Sequence, residues 1–402
     1  VSVRDVTFDM QFPSAFLTVI AYDVDIQTPN AAATLPEVSA VFTPIGLFNL
    51  RPFELVVSGI DLDLSAGADG WTGSPSAKLI AGLAAPIAGL DSPESAPITG
   101  LRRLRINSAS VTLRQTSGSV QPLRFTDLNL TVAVDTAMSL AGSVSAMRMI
   151  DGKAAGKVTA TILGDMANRD FTAEIAVDQF VVDGIAGHAP MMPDMLASAG
   201  VISGRMTAAV RGSQLNIADV DLVAVGGVIN LPRPAPTLAY DSASLVMGYN
   251  RDAETLDIRQ SELALVDGQV LSVTGNIKAM YGPEPNIAVR IRGNQLSLAQ
   301  FYANWPDALA PDIKSRLQKQ ISGGELSDVT LGISANYNLA KAHLRVLNLA
   351  LGSVFTGVKV DFDVSQFTAG QYMRLQGLAD GRLALRMSAG GIIDHLSVAM
   401  GV

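Results

Sequence analysis

Apolar and polar residues alternate along this chain with a period of two from one end to the other. Val6, Phe8, Met10 and Phe12 are interleaved with Thr7, Asp9 and Gln11, which puts the two sets on opposite faces of an extended strand. The pattern returns in LNLTVAV over 128–134, IAVRI over 287–291, VTLGI over 329–333, VKVDFDV over 358–364 and LALRM over 383–387. Roughly sixteen to twenty such strands are expected, spaced about 8–12 residues apart and separated by Gly, Asn-Arg-Asp and Asp-Gly turns. This predicts a mostly β fold, an antiparallel meander with one dry face and one wet face.

Three stretches break the alternation and predict helix. Ser74-Pro75 supplies an N-cap with Pro at the first helical position, and Leu79, Leu83 and Ile87 follow on one stripe that Pro86 disturbs. Pro193-Asp194-Met195-Leu196 predicts a turn or two between Ile185 and Gly200. The third runs from Ser297 to Ile321, is split at Trp305-Pro306, resumes after Pro311 with Ile313, Leu317 and Ile321 at helical spacing, and stops at Gly323-Gly324.

The two later inserts have matching surroundings, as an internal repeat would. Asp178-Gln179-Phe180 precedes one and Asn294-Gln295-Leu296 the other, and each insert gives way to a Gly-containing turn and a new alternating strand. The expected organisation is an N-terminal β segment (1–73), a helix and linker (74–100), a first β repeat (101–184), a helical crossing segment (185–200), a second repeat (201–296), a second crossing segment (297–322) and a third, shortened repeat (323–402).

Composition sharpens this picture. Charged residues are 16% of the chain, against roughly 25% in ordinary soluble domains, and apolar residues reach 48%. A sheet this greasy must have a very large core or an apolar surface kept from water by something other than its own side chains. The net charge is −8 and Lys and Arg are scattered singly, which excludes the basic stripe that nucleic acid requires and a polybasic membrane anchor. There is no cysteine, so disulfides, thiol nucleophiles and thiolate metal sites are excluded. The apolar run over 79–90 is too short to span a bilayer and contains Pro86. Because the chain starts at Val1 without Met, a targeting or anchoring segment is expected outside it.

Catalytic chemistry finds little purchase. There is no Gly-x-Ser-x-Gly elbow or His-Glu-x-x-His pair, and the phosphate-loop mimic over 152–157 ends in Val158 where a hydroxyl belongs. His188, His343 and His395 are isolated, Asp252, Glu254 and Asp257 surround a turn, and Tyr302 with Trp305 fits a packing anchor. No catalytic residue, metal or cofactor is expected, and an envelope hydrolase is the enzyme alternative.

Three phrases carry a resemblance to a family. They are 48–53 followed by 56–64 and Asp69-Gly70-Trp71; 101–113 followed by Phe125-Thr126-Asp127-Leu128-Asn129-Leu130; and 249–275 followed by Asn304-Trp305-Pro306 and a helix ending at Ile321-Ser322-Gly323-Gly324. Their ordering resembles the AsmA-like envelope proteins of the YhdP type, grouped with TamB among the bridge-like lipid transfer proteins. The resemblance implies an elongated, curled antiparallel sheet whose hydrophobic groove carries phospholipid between inner and outer membranes. It also implies a periplasmic location and an inner-membrane helix absent from this chain, and it nominates no catalytic residue.

The residues support a groove independently, since an antiparallel sheet with one dry face must bury it against a second sheet, helices or something foreign, and the helices are few. A closed sandwich or barrel is the generic alternative. The expected lining is Leu128, Leu130, Val132, Val134, Val289, Ile291, Val329, Leu331, Ile333, Val358, Val360 and Phe362, and Trp305, Pro306, Leu317 and Ile321 belong to the crossing helix. The expected partners are phospholipid acyl chains and an outer-membrane or periplasmic protein. The rival reading is a periplasmic scaffold for envelope assembly that carries no lipid.

Overall fold

The computed structural model describes residues 2–11, 16–28, 31–49, 51–67, 70–74, 101–115, 122–135, 138–182, 200–212, 214–229, 238–303, 311–338, 343–363, 374–388 and 392–401. The fold is mostly β, and the chain divides into two compact units, Val1–Ala218 and Asp219–Val402. The predicted helices within 74–100 and 185–200 lie outside the described residues, apart from positions at their margins.

The first unit holds β1 (Asp5–Gln11), β2 (Phe16–Thr28), β3 (Ala31–Phe42), α1 (Pro44–Phe48), β4 (Glu54–Ser58), β5 (Asp61–Gly67) and β6 (Gly70–Gly73), then β7 (Arg103–Gln115), β8 (Leu123–Val134), β9 (Ser139–Ile150), β10 (Lys153–Asp165), β11 (Asp170–Val181) and β12 (Val201–Arg211). From β7 to β12 each strand pairs antiparallel with the next, as the alternation predicts. The Asp151-Gly152 turn shows why the hairpins are tight. Both residues have positive φ, 50° and 75°, and Ile150 pairs directly with Lys153, so the turn matches the twist of its strands.

Two features depart from the expected meander. The short helix α1 was not anticipated, although Thr43 caps it and Pro44 begins it. More consequentially, β4 and β5 pair parallel with β7, along 103–107 and 110–115 respectively, so the sheet is not wholly antiparallel. A parallel pair cannot be joined by a tight hairpin, and β5 and β7 are separated by 35 residues that include β6. Gly59 (φ +70°) sets the kink between β4 and β5, beyond which β5 pairs with β6 and the first half of β3 stays with β2. The resulting wedge is filled by Val24, Leu35, Val57, Ile60, Ile106 and Ala109. Glu54 clamps the parallel pair, reaching Arg105 at 3.0 Å and Arg103 at 3.3 Å.

Strand β13 (Gln214–Ile229) crosses the division between the units. The second unit continues with β14 (Leu238–Asn250), β15 (Thr255–Leu265), β16 (Val270–Lys278), β17 (Asn286–Ser297), α2 (Leu298–Ala303), α3 (Pro311–Gln320), β18 (Ile321–Ser322), β19 (Glu325–Asn338), β20 (His343–Asp363), β21 (Arg374–Ser388) and β22 (Ile392–Gly401). Helices α2 and α3 occupy the third predicted helical stretch. Ile321, however, is a strand residue paired with Val360 and not part of the crossing helix, because Gly323-Gly324 (φ +66° and +75°) puts the chain into β19 and leaves β18 beside β20. Both predicted inserts fall in the same kind of connection, between the antiparallel neighbours β11 and β12 and between β17 and β19.

Rows of β-bulges curl the sheet. In the first unit the register slips in β7 around Ser108, β8 around Asp127, β10 around Gly156 and β11 around Gln179, all with positive φ and all at one level across neighbouring strands. In the second it slips around Asp328 in β19 and Gly357 in β20. Each bulge adds local twist and bends its strand, so a row of them folds one margin of the sheet over.

Candidate functional site

Register places apolar side chains in continuous rows across the first unit. Val132, Gly142, Ile162, Ala173 and Ala208 form one row, and Leu130, Val144, Ala160, Ile175 and Met206 the next. The opposite face, one residue out of phase, reads Thr131, Ser143, Thr161, Glu174 and Thr207. Across these rows the two faces are chemically distinct, whereas the next row of the opposite face toward the strand ends, Ala133, Ala141, Leu163, Thr172 and Ala209, is mostly apolar, with Leu163 exposed. Gly142 keeps the dry face smooth, since a Cβ there would sit 2.6 Å from the Ile162 side chain.

This dry face is not covered uniformly. Ile175 and Met206 are 39% and 42% exposed, and their row neighbours Val144 and Ala160 are half-buried. Beyond the bulge row the margin is closed: Phe125 stacks on Phe180 at 6.4 Å, the Arg148 guanidinium lies 5.3 Å from the centre of the Phe180 ring, and Phe180 and Val182 are buried. The dry face is thus a trough with a closed corner.

The predicted lining residues of this unit sit toward the closed side. Leu128 and Leu130 pack against the wedge cluster. Val132 packs with the second cluster, in which Val134 is buried with Leu101 and Leu104. All four face the dry side, but they border packed protein. Ile175 and Met206, more accessible, were not singled out from the sequence, although Phe171, Ala173, Ile175 and Val177 alternate plainly.

In the second unit, Val273, Ile291, Leu331 and Leu351 form one row and Gly275, Val289, Ile333 and Leu349 another. Val289, Ile291, Leu331 and Ile333 are half-buried, whereas Val329 is buried. The bulge at Gly357 shifts the alternation of β20 by one residue, so that Val358 follows Leu349 and Leu351 on this face and is 1% exposed, while Val360 and Phe362 continue β20 at register positions opposite Gly377 and Leu375. Ile321 is buried beside Tyr302, whose hydroxyl donates to the Ile321 carbonyl at 3.1 Å. Burial holds the Tyr302 phenol above its ordinary pKa, as befits a packing anchor. Leu317 belongs to α3, and Trp305 and Pro306 lie outside the described residues.

The wet face carries the charge. Arg205 pairs with Glu174 at 2.9 Å and Arg259 with Asp219 at 2.6 Å. Two shallow basins of about 630 and 550 Å³ lie on this face of the second unit, floored by small residues such as Gly332 and Ala350 and flanked by Arg290, Arg292, Arg386 and His395. His395 lies on β22 and His343 opens β20, while His188 is outside the described residues. Asp252 and Glu254 sit in the β14–β15 turn and Asp257 on β15. Among the described residues no group of His, Asp and Glu is arranged to hold a metal ion, and no helix is long and apolar enough to cross a membrane. Comparison with protein-family models, curated proteins and solved structures found no match.

Proposed function

We propose that the protein is a non-enzymatic carrier or bridge for phospholipids, whose acyl chains lie along the dry face while headgroups stay at the wet margin. The observation that carries this reading is the row containing Ile175 and Met206, apolar from strand to strand and left about two-fifths exposed at both residues. Such a surface costs free energy in water, and an acyl chain laid on it removes about 0.8 kcal/mol per methylene from that cost. The contacts are non-directional, so discrimination among headgroups is weak, and net direction has to come from a gradient or a partner. The setting this implies is a periplasm between two membranes, with an inner-membrane attachment and an outer-membrane or periplasmic protein as neighbour.

Native mass spectrometry with lipid extraction on detergent-free protein tests the reading, together with an Ile175→Asp/Met206→Asp variant. Both side chains are exposed enough for the variant to fold. Phospholipid bound to the wild type and absent from the folded variant is the expected result. A folded, lipid-free wild type would overturn the carrier and leave the scaffold reading.

A further inference from the structure

The connection from β3 to β4 is short, polar at its ends and apolar at its tip. Thr43 caps α1, Pro44 opens it, and Ile45, Leu47 and Phe48 are its large side chains. All three face water: Ile45 is 77%, Leu47 39% and Phe48 90% exposed. An exposed leucine alone means nothing, but three large apolar groups on one turn are a different matter.

The turn is also held by its own hydrogen bonds. The Leu47 amide donates to the Thr43 carbonyl at 2.9 Å, the Gly46 amide to Thr43 Oγ1 at 3.0 Å and the Arg51 amide to the Gly46 carbonyl at 2.8 Å. Asn49 closes the end, its amide donating to the Leu47 carbonyl and its side chain to the Ile45 carbonyl at 3.2 Å. Gly46 is required there, because a Cβ would sit 2.5 Å from the Arg51 carbonyl. With these amides and carbonyls paired within the turn, the tip exposes fewer backbone groups to an apolar phase and loses less on entering it.

What surrounds the tip identifies that phase. Arg51, at its base, is exposed and has no ion-pair partner among the described residues, which suits it to phosphate. Asp135, at the end of β8, accepts the Ser139 amide at its carboxylate and Arg102 at its backbone carbonyl. Phe53, just beyond the tip, stacks on Phe16 at 6.4 Å and lines a mostly apolar pocket of about 650 Å³ with Val134, Leu140 and Leu163. Val134 and Leu140 lie on the trough face and Ala133, Ala141 and Leu163 on the other, so the pocket sits at the strand ends, where the trough also ends.

We propose that the α1 turn is a membrane-docking tip that inserts Ile45, Leu47 and Phe48 into a phospholipid bilayer, with Arg51 at the phosphate level, and so sets the end of the trough against the membrane. This deepens the carrier reading and rests on it for its purpose. The insertion is interfacial: one turn reaches the boundary between headgroups and acyl chains and does not span.

Flotation of the whole chain with phosphatidylcholine vesicles, with and without phosphatidylglycerol, tests it. An Ile45→Ser/Phe48→Ser variant, folded by circular dichroism, is expected to lose about tenfold or more in partitioning, and Arg51→Glu to lose binding chiefly to the anionic vesicles. A Phe48→Trp variant is expected to shift its emission to the blue on the same vesicles. Unchanged partitioning of the double variant would overturn the proposal. So would an unshifted emission from the Phe48→Trp variant, which would leave the tip to a protein partner. The tip variant should still copurify phospholipid, whereas Ile175→Asp/Met206→Asp should lose lipid and still bind vesicles, so the two readings fail separately.

Discussion

Leu104 and Ile175 lie on the same face of the same sheet in the first unit, and their local sequences alternate alike. Yet Leu104 is fully buried and Ile175 is 39% exposed. The difference does not reside in either strand. Leu104 is covered because β4 comes back parallel to β7 and brings Leu55 to the cluster in which Leu104 is buried with Leu101 and Val134, while the neighbouring wedge fills with Val57, Ile60 and Leu35. Ile175 belongs to β11, in the plain hairpin succession, where the dry face bends but does not meet itself. A dry face is thus a property of alternation, whereas its closure is a property of which strands return to it.

The strongest way to break this comparison is a buried charge. Ile106→Asp puts a carboxylate in the filled wedge and is expected to cost more than about 4 kcal/mol, enough to unfold the first unit, whereas Ile175→Asp is expected to stay within about 1 kcal/mol. Urea denaturation followed by circular dichroism separates them, and equal midpoints would show that the wedge is not closed.

Truncation sharpens the contrast. Leu104→Ala is expected to cost about 2–5 kcal/mol and Ile175→Ala less than about 1 kcal/mol, because the second leaves no enclosed cavity. Loading the protein with phospholipid should narrow that gap from the Ile175 side only.

The smallest effect is electrostatic and belongs to the open region. The Asp165 carboxylate accepts hydrogen bonds from the amide and side chain of Asn168 and from the Ala167 amide, and these hold its pKa below the ordinary value of 3.8. A depressed pKa contributes stability that is present above the unfolded value and is lost as pH falls through the lower folded one. Hydrogen exchange at Ala167 and Asn168, corrected for its intrinsic rate, should therefore accelerate below about pH 4. Asp165→Asn should flatten that dependence and leave the wedge unchanged.

Much of the fold was legible because two-residue periodicity is written directly in side chains. The strands, the Asp151-Gly152 and Asn250-Arg251-Asp252 turns and the α2–α3 insert follow from local chemistry. The bulges do not, since Ser108, Asp127, Gln179 and Asp328 take positive φ without being glycine and look like ordinary strand residues. The parallel partnership of β4, β5 and β7 was hidden for another reason: alternation says which face is dry and nothing about the neighbour. Consequently Leu128 and Leu130 were placed on the right face but border a packed cluster, while Ile175 and Met206, written just as plainly, proved the more accessible. The tip at α1 was announced by Thr43-Pro44 and overlooked because a single turn leaves no periodic signature.

The parallel pairing also has a bearing on the order of assembly. The hairpins from β7 to β11 join strands that are near neighbours in the chain, so they can zip one after another at little entropic cost. Glu54 and Arg103, in contrast, meet across 49 residues. When the whole chain refolds, the wedge is therefore expected to close after the hairpins have paired, so that the trough is displayed before its most tightly packed corner has formed.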